Sequence, residues 1–489
     1  MAMAMATRDR LRLWKTLGPR NQGLDASTKV FEATTDQMLD QVVELRVHRD
    51  RDAFIESIAE ADVCRLASSF HDNEPCAVFK PVARGSYNVC FFVHFSHSGD
   101  SWVIRVPITP CLARGVGEKL RREVVTMQYV SERTSIPIPR VIAYSFDSGS
   151  HVLPPFIILE YIEGRLLSGI RLPALSDDKR TILYEQLADI YAQLRRLEFS
   201  AIGQLCHDGS DSSTIHVTGL PPTIDLNIQE LEELWPSSVQ REYKAPLTSS
   251  GQYVSMLLSI TQNAFEKSPS SVWQEGRPNV SLLYGPLRRL HQGLLAAPER
   301  DDGPFVLTHG DLNPHNLLVD EKGMTIVALL DWEWSRVVPL QLFNPPIWLT
   351  GLRPDLVSYS YAYELYTKEL DRFRSVLGAR DMEMFGGILA AAALENWTAI
   401  YFFSHRFIHS CICPDDQINT FMASDPSRQQ FVERKVRDWK AYQNECRCCG
   451  LHVDSDEESD EEGVNANNEN NNNSEKTIKK KGLAATRWT

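Results

Sequence analysis

Long apolar runs are missing from this chain. The longest, near "GGILAAAAL", stops at Glu395, short of the roughly 20 residues a helix needs to cross a bilayer, so no membrane partner is expected. The start, "MAMAMATRDRLRLWKTLG", lacks the apolar core of a secretory signal. A basic stripe is missing too. The formal net charge is −13, and seven acidic residues with no basic one among them fall between Asp454 and Glu462. The rest is only mildly acidic, which argues against a nucleic-acid partner held by phosphate contacts. Cysteine is sparse: ten residues scattered from Cys64 to Cys449 do not form the dense framework of a small secreted domain, so reduced thiols are expected. These absences together read as a soluble cytoplasmic protein. Arg8, Arg10, Arg12 and Lys15, opposed only by Asp9, leave a mitochondrial presequence as the lesser reading.

What is present is length and pattern. With 489 residues, 43% of them hydrophobic, the chain can bury a full-sized core. Residues 1–70 read as a helical lead-in with a disordered start. From Ala77, "AVFKPVARGSYNVCFFVHFSHSGDSWVIRVP" offers three short runs of Val, Phe and Ile separated by turn residues, an antiparallel meander. "GEKLRREVVTMQYVSERTS" keeps helical spacing until "IPIP" stops it, and "RVIAYSF" and "PPFIILEYIEG" supply two more strands. A small α+β lobe over 71–163 is therefore expected. Residues 164–450 read as mainly helical, with helices near 177–197, 281–296, 354–377 and 382–403, a loop-rich insertion over 206–250 and a strand-like interruption at 305–331. The acidic, Asn-rich and basic tail of 451–489 cannot bury enough apolar area to offset the entropy of ordering.

The interruption carries the chemistry. "VLTHGDLNPHNLLVDEKGMTIVALLDW" reads as a hairpin with strands at 316–319 and 325–330 around a turn at Asp320–Gly323. In an antiparallel pair the start of one strand lies beside the end of the other, so Asn316 and Asp331 share the open end, and the preceding loop delivers Asp311 to the same place. Two carboxylates and an amide oxygen suit magnesium-dependent phosphoryl transfer: Asn316 and Asp331 as hard oxygen ligands, Asp311 to orient a substrate hydroxyl and accept its proton. Any one of them alone would be a turn residue; three at this spacing favour function. Gly85 and Ser86 form the turn between the first two strands, where backbone N–H groups can approach phosphate oxygens.

"HGDLNPHN" followed by "LLDWE" resembles the catalytic-loop and metal-binding motifs of the aminoglycoside phosphotransferase and choline kinase group, in a fungal-type member. The resemblance spans roughly residues 77–439 and implies a bilobal protein-kinase-like fold using ATP and Mg2+. It implies Asp311 as catalytic base, Asn316 and Asp331 as magnesium ligands, and His309 as a brace of the catalytic loop. Arg105 in "SWVIRVP" falls where a phosphate-holding lysine is common, with Glu123 as its ion-pair partner, and "FIILEYIEG" resembles the interlobe linker, where backbone groups of Glu160 and Ile162 would bond the adenine. Gly310 in place of arginine points to small-molecule hydroxyl acceptors. A kinase-shaped nucleotide-binding or interaction protein without efficient turnover, and an atypical protein kinase, stay open as alternatives.

Other features are weaker. His405, His409, Cys411, Cys413, Cys446, Cys448, Cys449 and His452 supply enough ligands for zinc, but at no standard spacing, and core cysteines are the simpler reading. Ser455 and Ser459 suit an acidophilic kinase. Trp332, Trp334, Trp348, Trp397 and Tyr401 are read as core rather than as a box for a cationic amine.

Overall fold

The computed structural model describes residues 40–113, 115–208, 211–234, 246–269, 301–343, 345–351, 360–377 and 423–451. The expected helices at 281–296 and 382–403, the basic start, the acidic tail with Ser455 and Ser459, and Trp397, Tyr401, His405, His409, Cys411, Cys413 and His452 lie outside these residues.

The first lobe is a five-stranded sheet built from β1 (Cys76–Arg84), β2 (Asn88–Phe95), β3 (Ser101–Pro107), β4 (Val141–Ser145) and β5 (Phe156–Glu160), in the order β1-β2-β3-β5-β4 and antiparallel throughout. Strand alternation divides its faces. Val89, Phe91, Val93 and Phe95 of β2 with Trp102, Ile104 and Val106 of β3 pack into one core, on which α1 (Gln41–Glu56) and α2 (Glu60–Ser69) lie. The expected lead-in is thus a helix pair broken after Glu56. The opposite face carries Cys90 and Arg105, paired in register, and is covered by α3 (Val116–Arg133), whose Leu120, Val124, Met127 and Val130 repeat at helical spacing.

The second lobe is mainly helical. α4 (Asp177–Arg195) buries Leu183, Leu187, Ile190, Tyr191 and Leu194 at its centre, and Tyr184 and Tyr191 meet Phe373 of a later helix edge to face. This core is continuous with the inner face of α3, so the two lobes share it, and the molecule is a bilobal α+β fold of protein-kinase type.

Two short sheets cross this lobe. β6 (Arg165–Leu166) edges one of them and β7 (Glu198–Phe199) the other, each three-stranded. The segment read as a loop-rich insertion differs from expectation. Residues β8 (Gln204–Asp208) and β9 (Asp211–Thr218) form a hairpin, followed by α5 (Ile224–Leu231), capped by Thr223, and α6 (Ser250–Lys267). Ser and Thr suggest loops, but Thr214, Ile215, Val217 and Thr218 are β-branched and hold a strand once a partner is present. The remaining strands are β10 (Phe305–Thr308), β11 (Leu317–Asp320), β12 (Thr325–Leu329) and β13 (Arg336–Pro339), and the remaining described helices are α7 (Ser360–Leu377) and α8 (Ser427–Cys448).

Candidate active site

Two ladders bring the site together. β10 pairs with β13, Thr308 facing Arg336, and β11 pairs with β12, Leu317 facing Leu329. The loop 309–316 therefore joins one ladder to the other on one strand, and the loop 330–335 returns on the partner strand. The loops lie against each other: Leu330 N–H donates to Asn316 O at 2.8 Å, and Ser335 Oγ donates to His309 O at 3.2 Å.

This explains Gly310. Its φ is +83°, and a Cβ there would lie 1.9 Å from the Trp334 carbonyl oxygen, so the crossing of the loops admits only glycine. His309 is fully buried with its ring edge on Trp332. Its Nε2–H donates to Leu330 O at 2.9 Å, and its Nδ1 accepts from Asp311 N–H at 3.3 Å. Burial pushes the imidazole down to about 4, so the ring stays neutral and ties the two loops together.

Asp311 accepts from Asn313 Nδ2 at 2.7 Å and from Asn316 Nδ2 at 2.9 Å. Burial raises its carboxyl to about 6 against the pull of those two amides. Asn316 also donates Nδ2 to Asp311 O at 2.8 Å, which leaves its Oδ1 turned away. Asp331 has φ +61°, a strained conformation for a non-glycine residue, and its neighbours hold it there: Leu329 N–H is fixed on Pro137 O and Leu330 N–H on Asn316 O.

Arg105 is buried, not solvated. Its two terminal nitrogens donate to Glu123 at 2.5 and 2.9 Å, and Nη2 also donates to Asp331 Oδ1 at 3.2 Å. Burial raises the Asp331 carboxyl and Arg105 opposes that shift, while the carboxylates around Arg105 hold its guanidinium above its ordinary value.

All ten residues singled out in the sequence lie in this region, and nine of them, Gly85, Ser86, Arg105, Glu160, Ile162, Asp311, Asn316, Asp331 and, through its partner Arg105, Glu123, bound or adjoin a cleft of about 630 Å³; His309 sits behind its wall. Two details differ from expectation. Gly85 N–H is spent on Asn88 O at 2.8 Å, closing the hairpin turn, and a Cβ on Gly85 meets nothing closer than that oxygen at 3.6 Å, so neither crowding nor a free N–H accounts for this glycine. In the linker, Glu160 N–H donates to Arg140 O at 3.0 Å.

Sequence reasoning missed four residues. Glu333, two positions after Asp331, is buried, accepts from Asn88 Nδ2 at 3.0 Å and is ion-paired with Lys119; the last letter of "LLDWE" and the four-residue spacing of Lys119 and Glu123 were the available signals. His48 of α1 also lines the cleft, from a helix read as a mere lead-in. Trp332, Trp334 and Trp348 are buried as expected. Cys446 is buried beside Trp439 and Tyr442 while Cys448 and Cys449 are exposed. No described helix is long and apolar enough to cross a membrane.

Residues 78–340 match the model of the phosphotransferase enzyme family (APH). The chain belongs to this family. Among curated relatives, a protein of Zygosaccharomyces rouxii named altered inheritance of mitochondria protein 9, mitochondrial, is 30% identical over 335 residues, 55% of this chain and 50% of the relative. Its namesake from Eremothecium gossypii is 22% identical over 313 residues, 56% and 50% of the two chains. The chain thus spans about half the length of the curated relatives it matches. Among solved structures, the GDP complex of wild-type aminoglycoside 2'-phosphotransferase-IIIa is 15% identical with a TM-score of 0.40, covering 78% of this chain and 97% of that one. The ADP-bound aminoglycoside phosphotransferase APH(2'')-Ib is 11% identical with a TM-score of 0.38, covering 78% and 99%. Likenesses at this level say nothing of the acceptor. The cytoplasmic expectation is corrected by the curated relatives, whose names point to mitochondria; the basic start that would bear on this lies outside the described residues.

Proposed function

We propose that this family member is an ATP- and magnesium-dependent phosphotransferase that moves the γ-phosphoryl group to a hydroxyl of a small molecule. The observation that carries the reading is the convergence of Asp311, Asn316 and Asp331 on one cleft, faced by the buried Arg105–Glu123 pair. The donor set fits magnesium: Asn316 gives its amide N–H to Asp311, which leaves Oδ1 as a hard oxygen, and Asp331 offers a half-buried carboxylate facing the cleft. Bound there, the ion would neutralise charge on the phosphates.

The chain's own groups do the rest. Asp311, held by Asn313 and Asn316, orients the acceptor hydroxyl and accepts its proton, and its raised carboxyl is better matched to that task than an ordinary aspartate. Arg105 holds phosphate oxygens with the guanidinium edge that Glu123 does not occupy. The Gly85–Ser86 turn covers the phosphates, while the Glu160 carbonyl and the Ile162 N–H hold the adenine. His309 braces the loop without titrating. Catalysis of this kind is positioning and charge stabilisation in a site that excludes water.

A second reading, a kinase-shaped binding protein without turnover, is favoured by one contact: Arg105 already donates to Asp331, so phosphate clamp and metal ligand neutralise each other. Calorimetry of ATP with and without magnesium, on the wild type and on Asp331→Ala, tests the nucleotide site, and ADP production with a panel of small hydroxylated acceptors tests turnover. Magnesium-dependent binding with ADP production that Asp311→Ala abolishes supports the enzyme; binding without ADP production supports the second reading, and a wild type that binds no nucleotide overturns the phosphotransferase.

A further inference from the structure

α3 carries two opposite charges one turn apart, Lys119 and Glu123, and each makes a buried ion pair with a different part of the molecule. Glu123 reaches Arg105 in β3. Lys119 reaches Glu333, in the loop that follows Asp331. The other Glu333 oxygen accepts from Asn88 Nδ2 at 3.0 Å, and Asn88 is the first residue of β2 after the Gly85–Ser86 turn. A single carboxylate, 3% exposed in its side chain, is thus shared by the turn of the first lobe, the helix α3 and the metal-motif loop of the second.

The surroundings fix this arrangement. The Lys119 ammonium lies 3.7 Å from the centre of the Trp334 ring and 5.2 Å from that of Tyr87, and these two rings meet edge to face at 5.1 Å. A buried ion pair is poor evidence for stability, because desolvating two charges offsets much of their attraction. Its better-attested use is to specify one arrangement among several. Glu333 and Tyr87 line the cleft and Lys119 does not, so Lys119 reaches the site through these two contacts and through its charge, which favours the ionised Asp331.

We propose that Lys119 and Glu333, with Asn88, form an interlobe latch: a positioning pair that holds α3 and the 85–88 turn against the Asp331 loop, so that Arg105 and Asp331 face the same nucleotide. The meaning of the latch for catalysis rests on the phosphotransferase reading; its mechanical role does not.

The test is hydrogen exchange on the full chain, following amides of 86–89 and 332–334 in wild type, Lys119→Met and Lys119→Arg. Methionine keeps the packing on Trp334 and Tyr87 but removes the charge. Exchange in both segments accelerates about tenfold in Lys119→Met, a coupling of ordinary size, and returns to within about twofold of wild type in Lys119→Arg. Asn88→Ala, which spares the ion pair, accelerates 86–89 alone and serves if the methionine variant does not fold. Unchanged exchange in Lys119→Met, or in Asn88→Ala where that variant stands in, overturns the latch; so does an arginine variant that behaves as the methionine one. Calorimetry with magnesium and ATP is run beside it: Lys119→Met weakens binding about tenfold with Arg105 and Asp331 intact. If the wild type binds no nucleotide, the phosphotransferase reading fails while the exchange result still decides the latch.

Discussion

At the scale of single residues, the site is held by positions that admit few alternatives. Gly310 is read from the sequence as a marker of acceptor class, yet the structure gives it a steric reason: a Cβ would meet the Trp334 carbonyl at 1.9 Å in a left-handed conformation. Gly310→Ala is expected to lower stability by more than about 2 kcal/mol, because backbone must move and strain is added together; a shift of the urea midpoint measures it, and an unshifted midpoint would show that the loops can part freely. Asp311 carries a pH signature. Its carboxyl, raised by burial from an ordinary 3.8 to about 6, must be ionised to accept a proton, so kcat/KM with a working acceptor should fall tenfold per pH unit below about 6. The linkage has the opposite sign. The folded state binds this proton more tightly than the unfolded one, so ionisation between pH 4 and 6 costs roughly 3 kcal/mol of stability that is absent at lower pH. A rate profile flat from pH 7 down to 5 would remove Asp311 from the base role. Asp311, Asn316 and Asp331 were legible because motif spacing and strand direction alone bring them together. Glu333 was not, because its partners Lys119 and Asn88 are more than 200 residues away in sequence.

At the scale of elements, the sequence was most informative where local chemistry and periodicity agree. The order of three strands, helix and two strands, the helix at 177–195 and the hairpin ending at Asp331 all follow from alternation, helical spacing and turn residues. The β8–β9 hairpin was hidden by Ser and Thr, and β13 by its shortness; each is a strand only because a partner is present. The attachment of α1 and α2 gives an element-scale prediction. His71, just after α2, stacks on Phe95 at 4.1 Å, while Nε2 meets Asp100 at 2.9 Å and Nδ1 meets Glu74 at 3.3 Å. The hydrogen bond to Asp100 raises the imidazole above its ordinary 6.5. The stabilisation is therefore fully present below pH 6.5 and is lost as pH rises through the folded value. The Tm of wild type should drop relative to His71→Gln across that rise, as followed by thermal melts; parallel curves would show that this pair does not fasten the helices.

At the scale of the whole molecule, the two lobes share one core that runs from α3 through α4 to α7, and the site lies where that core meets the cleft. Ligand binding between the lobes should then stabilise the chain as a unit. Magnesium and ATP together at about a hundred times their dissociation constant should add roughly 2.7 kcal/mol, seen as a Tm rise of about 2–4 °C, and ATP with EDTA should add none. A rise with EDTA present would mean that the nucleotide is held without Asp331 and a metal. The sequence by itself determined the elements and the chemical inventory: strand alternation, helix spacing and a motif whose carboxylates and amide lie within 21 positions of each other, since local geometry needs no distant partner. Only the tertiary structure decided how those groups are charged and held. It buries Arg105 between Glu123 and Asp331, admits only glycine at 310 and joins Lys119 and Asn88 to Glu333. The physical reason is that desolvation and pairing are properties of what surrounds a group, and here the surroundings come from segments far apart in the chain.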